Sequence, residues 1–230
     1  MNPNELNSEL TGLNKGEKQQ KIKQLIIYIS IGAVGLIALI VLIVLVAKSK
    51  GSDSKKTIGE INCDYEVKTI TQNTQLLGKE FNNRNNQFDI YIDGKKIKYS
   101  KEYKFKTADF HKIQIKIYYK INMDNMFKGV SELVSVEMIS SKNCQILSMT
   151  STFENCENLR SFNITGFNGE NLKSMKKLFY QTWLEEFSFD NFDTINLEDI
   201  SYMFASTSIQ QFKMEGINTK KVKICLIYLN

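Results

Sequence analysis

The chain has 230 residues and a formal net charge of +5, from 30 Lys and Arg against 25 Asp and Glu. One proline and twelve glycines exclude collagen-like and proline-rich architectures. No run of Lys and Arg interleaved with aromatic residues is present, so we expect no nucleic-acid partner.

The charge is distributed unevenly. Residues 1–24 carry four Lys and three Glu, residues 48–128 carry seventeen basic and ten acidic residues, and residues 129–230 carry nine basic and twelve acidic residues. The basic middle segment has two interpretations. It either faces anionic lipid or another polyanion, or it is an ordinary Lys-rich soluble surface.

Residues 1–24 read as a polar N-terminal tail, and residues 25–47 predict a transmembrane helix. The apolar run has twenty-three residues and no charge. At about 1.5 Å per residue such a helix crosses a hydrocarbon core of about 30 Å. The run is too long, and its polar leader too extended, for a cleaved signal peptide, so we predict a single-pass signal-anchor. Lysines flank both ends, and the positive-inside rule therefore assigns no orientation.

Residues 48–57 are small, polar and charged, as in a short tether. Residues 58–122 predict a β-rich module of roughly four to six strands. Apolar and polar residues alternate in residues 88–92, and Asp93-Gly94 supplies the positive φ angles of a two-residue hairpin turn. The alternation returns at residues 97–99 and again at residues 111–117.

Residues 123–230 contain a repeat of about four units. An aromatic position recurs at intervals of 26, 26 and 25 residues, in Phe127, Phe153, Phe179 and Phe204. Each unit continues with an L-x-x-L-x-L segment, at residues 133–138, 159–164, 184–189 and 209–214.

This period predicts parallel strands connected by short helical returns. Each strand buries alternate side chains, and stacking of the units buries their apolar faces in one continuous core. Asn168, Asp193 and Asn218 follow three of the strands. They suit turns because an Asn or Asp side chain accepts hydrogen bonds from nearby backbone.

Two segments carry a family resemblance. The sequence FDTINLEDISYMF at residues 192–204 resembles the F-D-T-x-x-V-x-D-M-S-x-M-F signature of BspA-like leucine-rich-repeat surface proteins. The sequence FENCENL at residues 153–159 resembles the M-F-x-x-C-x-x-L segment of the same family. The resemblance covers about residues 123–223 and implies a solenoid that is displayed on cell surfaces and used in adhesion.

The repeat also departs from the family pattern at both ends. The first unit has Ser141 and Lys142 where other units have an apolar residue and Asn or Asp, as expected of a capping repeat. Residues 223–230 abandon the pattern. This final apolar segment either caps the array itself or ends a truncated array that pairs with something else.

The inventory of catalytic groups is poor. His111 is the only histidine, so no Ser-His-Asp or Cys-His arrangement can be built. Glu185 and Glu186 are adjacent on a predicted strand, and their side chains therefore face opposite sides. Glycine-rich phosphate loops and calcium-loop spacings are absent. We predict no catalytic residue, no cofactor and no metal.

The four cysteines are Cys63, Cys144, Cys156 and Cys225, without a C-x-x-C pair. Cys156 occupies an apolar repeat position, which predicts a buried reduced thiol. The even number also permits disulfides if the domain is exported, and the sequence gives no pairing.

The outward residues of the repeat strands are the candidate partner-binding residues. Strand alternation assigns eight of them: Ser135, Glu137, Ser161, Asn163, Glu186, Ser188, Gln211 and Lys213. Asn163 also begins the sequon Asn-Ile-Thr and is a candidate glycosylation site if the domain is extracellular or lumenal. An alternative is that these residues form only a solvated polar face.

We therefore predict a single transmembrane helix, a small β-rich module and a short leucine-rich-repeat solenoid. The predicted function is a membrane-anchored surface protein that binds a protein or glycan ligand or mediates cell adhesion, without catalysis. The expected location is the plasma membrane, with the C-terminal domain extracellular. The alternative is a cytoplasm-facing membrane scaffold for protein–protein interaction.

Overall fold

The structure is a computed structural model, which describes residue 17 and residues 55–82, 87–190, 192–209 and 217–223. The chain divides into two units, Met1–Ser54 and Lys55–Asn230. The predicted transmembrane helix at residues 25–47 lies outside the described residues. None of the helical structure that is described is long and apolar enough to cross a membrane.

Within the described parts of Lys55–Asn230 the regular structure consists of β-strands. The eleven strands are β1 Gly59–Glu66, β2 Thr74–Gln75, β3 Phe88–Ile92, β4 Lys95–Ile97, β5 Glu102–Tyr103, β6 Phe110–Ile117, β7 Ile121–Asn122, β8 Leu133–Ile139, β9 Ile146–Ser148, β10 Ser161–Thr165 and β11 Glu186–Asp190. Seven of them form one sheet in the order β11-β10-β8-β1-β6-β3-β4. Two further pairs, β2 with β5 and β7 with β9, form small sheets.

The hairpin predicted at Asp93-Gly94 is confirmed. Asp93 and Gly94 have φ angles of 48° and 77°, and they connect the antiparallel strands β3 and β4. Both residues of a type I′ turn need positive φ, which Asp tolerates and Gly adopts without cost.

Strand β1 joins the first half of the sheet to the repeats. It pairs antiparallel with β6 on one side and with β8 on the other. Strands β8, β10 and β11 then run parallel and in register, so that Ser135, Ser161 and Glu186 are neighbours. The alternating sequence of β1 explains its central place, because its odd-numbered positions are buried and its even-numbered positions are half-exposed.

The segments that precede the predicted repeat strands, which we call the returns, are turns at residues 124–129, 150–155, 176–181 and 201–206 and not the predicted short helices. Asn125 and Gly129 in the first return have φ angles of 57° and 70°. A left-handed residue breaks a right-handed helix, and here two of them stand four positions apart. The next three returns have equivalent pairs: Ser151 and Asn155, Lys177 and Gln181, and Tyr202 and Ser206.

Hydrogen bonding explains why these returns stack. The backbone N–H of Phe127 donates to the carbonyl oxygen of Thr152 in the next return, at 2.9 Å. The following N–H, of Lys128, donates instead within its own return to the carbonyl oxygen of Asn125, at 3.2 Å. An α-helix uses its N–H groups internally, whereas these returns also use them to bond to their neighbours.

A column of aromatic rings fills the core beneath the returns. The repeat position predicted from the sequence places Phe127, Phe153, Phe179 and Phe204 in a stack with ring centroids 5.5, 5.6 and 5.6 Å apart. All four rings have no exposed surface. Offset stacking of aromatic rings adds to the hydrophobic free energy of their burial.

The turns predicted after the repeat strands are also observed. Asn168, Asp193 and Asn218 each accept, through their side-chain Oδ1, a hydrogen bond from the N–H two residues later, at 2.8, 3.0 and 3.1 Å. This local bond fixes the chain direction after each strand.

The predicted fold class requires correction. The described residues form a β-rich structure in which the repeat strands belong to a mixed sheet shared with β1 and β6, and not to a separate solenoid with helical returns. The described residues contain no helix able to span a membrane and so give no support to the predicted single-pass signal-anchor, whose residues 25–47 lie outside them.

Candidate functional site

One side of the seven-stranded sheet is polar and continuous across its strands. We define the polar sheet face as the outward residues of six strands: Glu186 and Ser188 of β11, Ser161, Asn163 and Thr165 of β10, Ser135, Glu137 and the exposed Ile139 of β8, Glu60, Asn62 and Asp64 of β1, Lys112, Gln114 and Lys116 of β6, and Asp89 and Tyr91 of β3. The opposite side of these strands packs on the core, for example through Ile61, Ile115 and Phe162.

Strand register arranges the polar sheet face in rows that cross the sheet. One row contains Ser188, Asn163, Glu137, Asn62, Gln114 and Tyr91. An adjacent row contains Glu186, Ser161, Ser135, Asp64 and Lys112. Directly opposite side chains on neighbouring strands lie about 5 Å apart, so each row is a contiguous contact surface.

Hydrogen bonds fix several side chains at the centre of this face. The hydroxyl of Ser135 donates to Oδ2 of Asp64 at 2.7 Å. Nε2 of Gln114 donates to Oε2 of Glu60 at 3.1 Å and to Oδ1 of Asn62 at 3.2 Å. Side chains that are already oriented lose less conformational entropy when a ligand binds.

A depression of about 410 Å³ lies at the centre of the face, where β8, β1 and β6 are adjacent. Its polar lining consists of Asn62, Asp64, Lys112, Gln114, Ser135 and Glu137, and Gly94 contributes backbone. The lining contains both hydrogen-bond donors and acceptors, which suits a ligand with polar groups.

The charge of the face changes from one side of the sheet to the other. Strands β11, β10, β8 and β1 contain six Asp and Glu and no Lys or Arg. Strand β6 instead carries Lys112 and Lys116, and β4 carries Lys95 and Lys96. Lys96 forms an ion pair with Asp89 at 2.5 Å, so part of the positive charge is balanced within that half.

The structure places six of the eight predicted binding residues on this one face. Strands β8, β10 and β11 bring together Ser135, Glu137, Ser161, Asn163, Glu186 and Ser188. Gln211 and Lys213 lie outside the described residues. The contribution of β1 and β6 to this face was not predicted, although the strict alternation of residues 59–66 indicates a strand with its polar residues on one side.

Asn163 occupies the middle of β10, between Glu137 and Ser188. Its side-chain Oδ1 is buried and has no hydrogen-bond partner among the described residues. The candidate glycosylation of Asn163 stays a prediction.

The rim of the face carries an exposed aromatic residue. Trp183 is 59% exposed and precedes β11. The guanidinium of Arg160, which precedes β10, lies 5.0 Å from the centre of its ring. Arg160 also pairs with Glu185 at 3.6 Å. Trp and Arg are enriched among residues that dominate binding energy at protein interfaces.

His111 lies on the core side of β6 and away from the polar sheet face. Its Nδ1 is 2.8 Å from Oδ2 of Asp93, and its Nε2 is 3.1 Å from the carbonyl oxygen of Thr107. Burial lowers the pKa of His111, but the hydrogen bonds to Asp93 and Thr107 outweigh burial and raise that pKa from 6.5. His111 therefore connects the loop before β6 to the β3–β4 hairpin turn, which is a structural role.

The described cysteines are free and buried. Cys63, Cys144 and Cys156 form no disulfide. Burial raises the pKa of the Cys144 and Cys156 thiols to about 12, and it raises the pKa of Cys63 well above 9.0. A thiol in this state is a poor nucleophile, because only the thiolate reacts. Cys225 lies outside the described residues.

Among the residues that the structure describes, no group of three or more His, Cys, Asp or Glu side chains is placed to hold a metal ion. The polar sheet face offers hydrogen-bonding groups, charge and surface area.

The chain was compared with family models, with curated proteins and with solved structures. Comparison with the curated proteins and with the solved structures returns no match. Residues 120–226 match the family model described as "Mycoplasma protein of unknown function, DUF285". This match covers the strands and returns of the repeat region, and it identifies that region as similar to this family.

Proposed function

We propose that the chain is a non-catalytic binding protein whose polar sheet face docks a protein or glycan ligand. The observation that carries this proposal is the continuity of the face across six strands, with its central side chains held by hydrogen bonds from Ser135 and Gln114. A wide, pre-oriented polar surface on a rigid sheet supports recognition of an extended partner.

The chemistry of the described residues favours binding over catalysis. The single histidine is on the core side of its strand, and the buried thiols of Cys63, Cys144 and Cys156 have raised pKa values. A general base or a nucleophile needs an accessible group with a pKa matched to its task. The polar sheet face contains carboxylates, amides and hydroxyls without an activating partner of this kind.

The resemblance of residues 123–223 to BspA-like repeats supports a finer proposal, in which the face serves adhesion outside the cell. This requires that residues 58–230 be displayed at the cell surface. Treatment of intact cells with protease, followed by detection of both chain ends, tests the display. Loss of the C-terminal epitope supports it, and protection of that epitope contradicts it.

An intracellular scaffold is the second candidate. The observation that favours it is the presence of three buried free thiols and of no disulfide among the described cysteines, since exported domains commonly form disulfides. The same protease experiment decides between the two candidates, because a scaffold inside the cell stays protected.

Binding by the face is tested by blocking it with bulky residues. The double variant Ser161→Tyr with Ser188→Tyr adds two large side chains to β10 and β11 without any change in charge. We expect the full chain to capture ligands from a glycan array and from a panel of purified secreted proteins, and the blocked variant to lose that capture.

The matched control is Ser131→Tyr with Ser208→Tyr, at two exposed serines outside the face. This control should capture the same ligands as the unmodified chain. Equal capture by the blocked variant and the unmodified chain would show that the face is not the binding site. Thermal unfolding of each variant establishes that it is folded before capture is compared.

A further inference from the structure

The outward residues of β11, β10, β8 and β1 form what we call the acidic half of the polar sheet face. This half has four carboxylates, those of Glu60, Asp64, Glu137 and Glu186, and no Lys or Arg, although the chain as a whole carries a net charge of +5. The net positive charge of the protein attracts polyanions, whereas this negative surface attracts cations.

We propose that the acidic half docks a Lys- or Arg-rich segment of a partner protein, and that one cationic side chain of this segment enters the depression beside Asp64 and Glu137. This inference rests on the proposed function and names the chemistry of its partner. The depression and the negative charge of the four strands carry this inference, and the exposed ring of Trp183 at the rim adds a surface that attracts cations.

The depression has the right chemistry for a cation. Its lining includes the carboxylates of Asp64 and Glu137, which are diagonal neighbours on adjacent strands. Asn62 and Gln114, whose amides contain acceptor oxygens, line the same space. A guanidinium has five N–H donors and no acceptor, so a site rich in oxygens satisfies it. Lys112 is the one cationic residue in the lining, and two carboxylates outweigh its charge.

The carboxylates of this half are available to a partner. Glu137 and Glu186 are exposed, and neither forms an ion pair with any residue that the structure describes. Asp64 is held in place by the hydroxyl of Ser135, which leaves its remaining lone pairs for other donors. Glu66, at the end of β1, pairs with Lys68 at 3.4 Å.

At the rim of the acidic half, the chain's own Arg160 contacts an indole ring. The Arg160 side chain lies over the ring of Trp183 at 5.0 Å, and Trp183 is still 59% exposed. An indole ring attracts cations at both of its faces. A second cation, from the partner segment, can therefore use the exposed surface of the same ring.

Binding of a labelled oligoarginine peptide to the full chain tests the inference. We expect binding that weakens as salt concentration rises, and no binding of an oligoglutamate peptide of the same length. The double variant Asp64→Asn with Glu137→Gln should weaken oligoarginine binding by about tenfold or more. Asn at position 64 retains an acceptor oxygen for Ser135, which preserves the fold.

The matched control is Glu157→Gln with Glu170→Gln, at two exposed glutamates outside the face. It changes the net charge by the same amount, and we expect oligoarginine binding within about twofold of the unmodified chain. The inference is overturned if oligoarginine does not bind, if the control weakens binding equally, or if oligoglutamate binds instead. If the tyrosine-blocked variant loses its ligands while the neutralised carboxylates keep them, the proposed function stands and this inference alone fails.

Discussion

His111 links two segments of the chain through both of its ring nitrogens. Asp93 belongs to the β3–β4 hairpin turn, and Thr107 belongs to the loop before β6. Only a protonated imidazole can donate from both nitrogens at once. Burial disfavours the charged form of both groups, and so lowers the pKa of His111 and raises the pKa of Asp93. The hydrogen bond between them outweighs burial, so that the pKa of His111 is raised and the pKa of Asp93 is lowered.

This arrangement predicts a dependence of stability on pH. Because the folded-state pKa of His111 is above 6.5, the folded chain binds the proton more tightly than the unfolded chain does. The stabilisation is fully present below pH 6.5 and is lost as pH rises through the raised pKa. We expect the urea midpoint of unfolding to fall from about pH 6 to about pH 8.

Asp93→Asn is the variant that isolates this effect. Asn accepts the positive φ of 48° at this position, so the hairpin turn is kept while the carboxylate is removed. The fall in the urea midpoint should then shrink or disappear. A midpoint in the unmodified chain that does not change over this pH range would contradict the account of His111, which is the only histidine in the chain.

The stacked returns are the elements that hold the repeat strands in place. Phe153 is central, since its ring lies between those of Phe127 and Phe179 at 5.5 and 5.6 Å. Phe153→Ala should lower the free energy of unfolding by about 3–5 kcal/mol, because it leaves a cavity in a fully buried column. Urea unfolding measures this loss.

Phe110→Ala is the control for that measurement, because Phe110 is 62% exposed on β6. Its effect on the free energy of unfolding should stay within about 0.5 kcal/mol. Equal losses for the two variants would mean that the column of rings does not carry the stability of the returns.

The sequence predicted some of these elements well and others poorly, for physical reasons. The Asp93-Gly94 hairpin and the parallel register of β8, β10 and β11 follow from local chemistry and from the repeat period. The prediction of helical returns was wrong, because residues such as Ser151 and Lys177 adopt left-handed φ angles of 55° and 56°. Neither residue type signals that conformation, and the bonds that stabilise it come from the neighbouring unit.

The binding face was predicted only in part, for a related reason. Alternation within each repeat identified Ser135, Asn163 and their equivalents, because that rule needs only local sequence. The pairing of β1 with β8 brings together residues that are far apart in the chain. No local pattern specifies which strand lies next to which, so the contribution of Asp64 and Gln114 emerged only from the fold.

The shared sheet makes Lys55–Asn230 one unit. Since β1 pairs with both β6 and β8, a defect in β1 should destabilise the repeats as well as the first half of the sheet. Ile61 lies on β1 and is fully buried. Trp183, the only tryptophan, reports on the repeats through its fluorescence.

Ile61→Ala should therefore shift the unfolding transition seen by Trp183 fluorescence to lower urea. The expected loss is about 2–5 kcal/mol, as for other deletions of a buried aliphatic side chain. Circular dichroism, which reports on all the strands, should show the same midpoint. If the Trp183 transition is unchanged in this variant, the repeats fold independently of β1.

A ligand that docks on the polar sheet face must cover the exposed side chains of its strands. Hydroxyl-radical footprinting of the full chain, with and without a captured ligand, tests this directly. Ile139, 42% exposed at the end of β8, and Ile195, 44% exposed outside the sheet, form a matched pair. We predict that the ligand protects Ile139 from oxidation and leaves Ile195 unchanged. Protection of Ile195 with none at Ile139 would contradict the claim.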